Sequence, residues 1–137
     1  MIPHGGKLVQ YFLIIVLIVS TAVFLLGTLR ALRMSRISVA LIEKYEGDAK
    51  NPALIEEIYT ALRADFFLRR ILERYGATAE DIRRLHRKLM IWGDFRKYNR
   101  YVPITSFFNR TALEYLLANK SADAKVLTEK MMNHFHI

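Results

Sequence analysis

The sequence predicts an all-α protein, one N-terminal transmembrane helix followed by a small helical bundle of about four helices, and three observations predict it. Residues 8–29 read LVQYFLIIVLIVSTAVFLLGTL, twenty-two residues without a formal charge. Downstream, apolar residues recur at spacings of three and four, the period of a helix with one buried face. Cap and breaker residues punctuate that pattern at helix-length intervals, while no run alternates with strand period and no internal repeat or low-complexity tract is present.

The apolar run comes first. At 1.5 Å per residue it makes a helix of about 33 Å, enough for a hydrocarbon core of about 30 Å. It exceeds the apolar stretch of a cleaved signal, no small-residue cleavage site follows it, and Arg30 stands directly after Leu29. Lys7 alone precedes the run, whereas Arg30, Arg33 and Arg36 follow it closely. Lys and Arg are retained on the cytoplasmic side, so the N-terminus is expected outside and the rest of the chain inside. The three arginines share one side of a helix leaving the bilayer, where they are expected either to reach anionic lipid headgroups or to serve as topology determinants only. Ser20, Gly27 and Ala31 form a narrow stripe of small residues suited to helix packing in the membrane.

Four segments result: residues 1–7 as a short external N-terminus, 8–29 as the transmembrane helix, 30–50 as a basic juxtamembrane helix and linker, and 51–137 as a helical domain on the cytoplasmic side. Glu46-Gly47-Asp48 and Asn51-Pro52 supply the break. Asn51 is a good N-cap and Pro52 suits the first helical position, which starts one long amphipathic helix ending at Gly76. Its apolar stripe is Ile55, Ile58, Tyr59, Leu62, Phe66, Leu68, Ile71, Leu72 and Tyr75. Thr78 and Asp81 resemble a capping box, so the next helix begins at Ala79 and turns Ile82, Leu85, Leu89 and Met90 inward. Gly93 and Val102-Pro103 are interruptions. Another helix runs from about Ser106 to Asn119 with Phe107, Phe108, Leu113, Leu116 and Leu117, and Ser121 caps a last one carrying Val126, Leu127, Met131 and Phe135.

Composition narrows function before any motif does. A chain of 137 residues holds one domain, or a smaller one with an appendage. With no cysteine it has no disulfide scaffold, thiolate zinc site, iron–sulfur cluster or cysteine nucleophile. Nucleotide-binding, zinc-protease and serine-hydrolase signatures are missing, and the acidic residues are scattered over polar helix faces instead of paired. No cofactor, metal site or catalytic set is therefore assigned, and the chain is not expected to be an enzyme. His134 and His136 lie at the chain end, His86 sits between arginines and reads as a surface or boundary side chain, and Asn109-Arg110-Thr111 matches the glycosylation sequon by chance if the domain is inside.

The most distinctive stretch is 83–101. It holds Arg83, Arg84, Arg87, Lys88, Arg96, Lys97 and Arg100 against Asp94, interleaved with Trp92, Phe95, Tyr98 and Tyr101. Its aromatics either pack inward or present a surface to an acidic partner, an anionic leaflet or nucleic acid. Trp, Tyr and Arg are enriched at interface centres, so Trp92, Phe95, Arg96, Lys97, Tyr98, Arg100 and Tyr101 are the expected partner-binding residues. Residues 68–87, with Ile71, Gly76, Ile82 and Leu85 at its apolar and glycine positions, resemble a helix-turn-helix over about twenty residues. That resemblance implies a membrane-tethered nucleic-acid-binding or regulatory module. It departs from the pattern at Leu72, where a small residue lets the helices cross closely. The leading expectation is a single-pass accessory or assembly subunit of a larger membrane complex, with nucleic acid the second choice of partner.

Overall fold

The computed structural model describes residues 3–46, 48, 50–91 and 102–135, and among these it is all-helical, with seven helices and no strand. Contacts divide the chain into two units, Met1–Arg33 and Met34–Ile137.

The first unit is the N-terminal part of α1, which runs unbroken from Pro3 to Lys44. Every side chain from Leu8 to Leu29 is exposed, and the helix is long and apolar enough to cross a membrane. Thr28 Oγ1 donates to the Phe24 carbonyl at 2.9 Å, so its hydroxyl is satisfied within the helix.

The second unit begins with the last three turns of α1, where Met34, Ser38 and Leu41 are buried on one face. Lys44 Nζ meets Glu57 Oε1 at 2.7 Å and the Tyr45 hydroxyl donates to the same carboxylate, fastening the end of α1 to the next helix. These two donors hold the Glu57 carboxyl below its ordinary range. Asn51 then caps α2, Pro52–Ala64, its Oδ1 accepting from Ala53 N at 2.9 Å with Pro52 in the first turn. Leu54, Ile55, Ile58 and Leu62 make the buried stripe.

The long helix expected to reach Gly76 is in fact two. Asp65 adopts extended φ/ψ of −94° and 129°, closes α2, and caps α3, Phe66–Arg74, by accepting from Leu68 N at 3.0 Å. A new helix has a new phase: α3 buries Leu68, Ile71 and Leu72 and leaves Phe66 outside the stripe to which its spacing assigned it. α3 ends in a Schellman motif. Gly76 takes φ +58°, Ala77 N donates to Leu72 O at 2.8 Å and Gly76 N to Glu73 O at 3.2 Å.

Thr78 and Asp81 form the expected capping box of α4, Ala79–Ile91, with Thr78 N donating to Asp81 Oδ2 at 3.0 Å. Ile82, Leu85 and Leu89 are fully buried, and Met90 only partly. The helix expected from Ser106 to Asn119 is also two, α5 at Val102–Phe107 and α6 at Arg110–Ala118. Val102-Pro103 opens a helix where an interruption was expected. Asn109 makes the break, accepting from Ala112 N at 3.0 Å. The last helix, α7 at Ala124–Phe135, is capped by Asp123 and not by Ser121, since Val126 N donates to Asp123 Oδ1 at 2.9 Å. Its inward residues are Leu127 and Met131, while Val126 faces out.

The domain thus has six helices beyond α1 among the described residues, because Asp65 and Asn109 each divide an expected one. Five of them close a circuit: α2 packs on α3, α3 on α6, α6 on α7, α7 on α4, and α4 back on α2. α5 packs on α4 and α6, and its Phe107 is fully buried.

Candidate docking site

The residues expected to bind a partner, Trp92, Phe95, Arg96, Lys97, Tyr98, Arg100 and Tyr101, lie outside the described residues, as does His136. Of the expected lipid-facing arginines, Arg33 and Arg36 are exposed and Arg30 is partly covered. Ser20, Gly27 and Ala31 are exposed on α1, and a Cβ added at Gly27 would meet nothing within 4 Å.

The described part of the basic stretch is largely engaged. Arg83 Nε reaches Glu80 Oε2 at 2.8 Å and Arg84 Nε reaches Glu80 Oε1 at 3.3 Å, a pairing that holds the Glu80 carboxyl below its usual range. Lys88 Nζ donates to the carbonyls of Lys120 at 2.7 Å and Ala122 at 2.6 Å, so it fixes the α6–α7 connection. His86 is a correction: it is 5% exposed, its ring lies 6.5 Å from that of Phe107, and its Nε2 has no hydrogen-bond partner among the described residues. Burial lowers its pKa from 6.5 to about 4, so the ring is neutral in the fold.

A different basic-aromatic surface is assembled by tertiary structure. α3 and α6 flank an open cleft of about 460 Å³ lined by Phe66, Phe67, Arg70, Arg74, Arg110 and Glu114, with Ile71 and Thr111. Phe66 is 52% and Phe67 40% exposed, and their rings meet edge to face at 5.4 Å. Guanidinium groups cover these rings: Arg110 lies 4.3 Å from the Phe67 centroid, and Arg70 and Arg69 lie 5.6 and 5.9 Å from that of Phe66. Arg74 meets Glu114 across the cleft at 2.7 Å. Among the described residues, three guanidinium groups line the cleft against one carboxylate, beside two apolar rings.

Sequence reasoning missed this site because it counted Phe66 as inward. The signal that finds it is Asp65-Phe66-Phe67-Leu68-Arg69-Arg70, an N-capping residue inside an apparent helix that resets the phase of the residues after it. The cleft also needs Arg110, which is forty residues from Arg70 and arrives only through packing of α6 on α3.

Across the span that resembles a helix-turn-helix, α3 packs chiefly on α2 and α6, and α4 on α2, α5 and α7. Leu72, buried in α3, occupies the position where close crossing of the two helices needs a small residue. Comparison of the chain with protein-family models, curated proteins and solved structures gives no match.

Proposed function

We propose that this protein is a single-pass membrane subunit, with its N-terminus outside and its helical domain on the cytoplasmic side, that serves as an accessory or assembly component of a larger membrane complex. One observation carries the reading: an unbroken helix exposes twenty-two consecutive uncharged residues, a surface that calls for lipid or a large apolar partner. The excess of Arg30, Arg33 and Arg36 over Lys7 supports the orientation. The α3–α6 cleft and the Trp92–Tyr101 composition support docking as the domain's task, with anionic headgroups a further contact for the juxtamembrane arginines. Nucleic acid is less favoured, since Glu80 draws on Arg83 and Arg84 and Lys88 is spent on backbone carbonyls.

The test is native electrophoresis of membranes solubilised in mild detergent. The chain is expected to resist alkaline carbonate extraction and to migrate in an assembly well above its own 16.0 kDa. Release by carbonate removes the anchor, and migration as a lone chain removes the subunit role.

A further inference from the structure

We infer that the α3–α6 cleft binds a short acidic peptide segment of another protein, one that presents a carboxylate next to an apolar side chain. The inference rests on the docking role and names the partner chemistry for this site. Arginine forks match carboxylates in geometry and charge, and the cleft already holds one such pair, Arg74 with Glu114. Arg70 and Arg110 add two more guanidinium groups, 5.6 Å from the Phe66 centroid and 4.3 Å from the Phe67 centroid, within the range of a cation–π attraction that favours these positions. α6 starts at the same place with Arg110 and Thr111, so its positive end adds to the attraction for an anion. Phe66 and Phe67 supply the apolar contact, a pair of edge-to-face rings on residues that keep 52% and 40% of their surface exposed. The cleft is concave, and about 460 Å³ suits a few peptide side chains. A bilayer contact favours rings raised on a convex apolar face, so a peptide fits this site better.

The test uses the full chain in nanodiscs of neutral phosphatidylcholine, read by fluorescence anisotropy of labelled decapeptides. A peptide of alternating Glu and Leu is expected to bind at least tenfold more tightly than the Gln–Leu peptide or an all-Glu peptide. Phe67→Ala and Arg110→Gln are expected to weaken it about tenfold, whereas Arg87→Gln, on the exposed face of α4, leaves it unchanged. Arg110→Glu reverses the preference toward a Lys–Leu peptide, a gain that a damaged fold does not produce. Equal binding of charged and neutral peptides, or equal loss in the Arg87 variant, overturns the inference. So does selective, Arg110-dependent binding of soluble dihexanoyl phosphatidylserine without the peptide, which assigns the cleft to lipid headgroups. Co-migration of the chain with a complex, measured separately, reports on the subunit role whichever way the peptides behave.

Discussion

At the scale of single residues, His86 is the side chain whose environment differs most from its sequence context. Arginines flank it nearby at positions 84 and 87, yet the phase of α4 sends it inward with Leu85 and Leu89. Its folded pKa of about 4 lies below the unfolded value of 6.5, so the unfolded chain takes up the proton first. The stabilisation is complete above about pH 6.5 and declines as pH falls toward 4, by about 3 kcal/mol in all. Denaturant unfolding of the detergent-solubilised chain is expected to follow that profile, and His86→Leu to flatten it between pH 6.5 and 4.5. Glu57 and Glu80, both held low, begin to lose their contributions as pH falls through the unfolded value of 4.5, so the His86 effect is read above that pH. Equal pH slopes in the variant and the native chain contradict the assignment. Asp65 is the second such residue, a buried cap whose carboxylate accepts from Leu68 N. Asp65→Ala is expected to cost about 1–2 kcal/mol and, by loosening the start of α3, to weaken binding in the cleft beside it.

Among elements, the breaks matter as much as the helices. Two capping side chains, Asp65 and Asn109, interrupt runs whose apolar periodicity reads through them almost unchanged. Each break resets the helical phase and redirects the next buried face, which lets short helices close a circuit that two longer ones could not follow. Gly76 ends α3 in the left-handed region, where a side chain costs about 1–2 kcal/mol, so Gly76→Ala is expected to lower the melting temperature by several degrees. The space around an added Cβ is open, which makes backbone strain the only penalty. An unchanged melting temperature means that the turn relaxes to another conformation. Lys88 joins elements in a different way, donating from α4 to two carbonyls after α6. Lys88→Met keeps the aliphatic packing and removes both bonds, with an expected loss of about 1.5–3 kcal/mol in the same unfolding measurement.

For the whole molecule, the central prediction is topology. A reporter active only outside the membrane is expected to work at the N-terminus and fail at Ile137, provided that the native flanks are kept. Asn109 gives an independent reading. It is exposed in a glycosylation sequon, so a domain on the lumenal or external side of a glycosylating membrane gains a glycan there, and a cytoplasmic one does not. Glycan addition at Asn109 reverses the orientation and moves the α3–α6 cleft outside with it. For the Trp92–Tyr101 segment, Trp92→Ala and Tyr98→Ala are expected to reduce co-migration with the native complex while the melting temperature stays within a few degrees; collapse of the fold in both variants makes these aromatics core.

The sequence by itself determined the helical class, the long apolar N-terminal helix, the α2 and α4 starts at Asn51 and Thr78, and most of the buried stripe. Each of these depends on neighbours a few residues away, through periodicity, a cap or an unbroken apolar run, and such interactions are legible in one dimension. The tertiary structure decided the rest. It turned two expected helices into four, drew His86 into the interior, and brought Arg110 of α6 over Phe67 of α3 to complete a charged aromatic cleft. Periodicity cannot see these outcomes, because a single capping residue shifts the phase of everything after it. A cleft between distant helices also depends on which faces the closed circuit leaves uncovered.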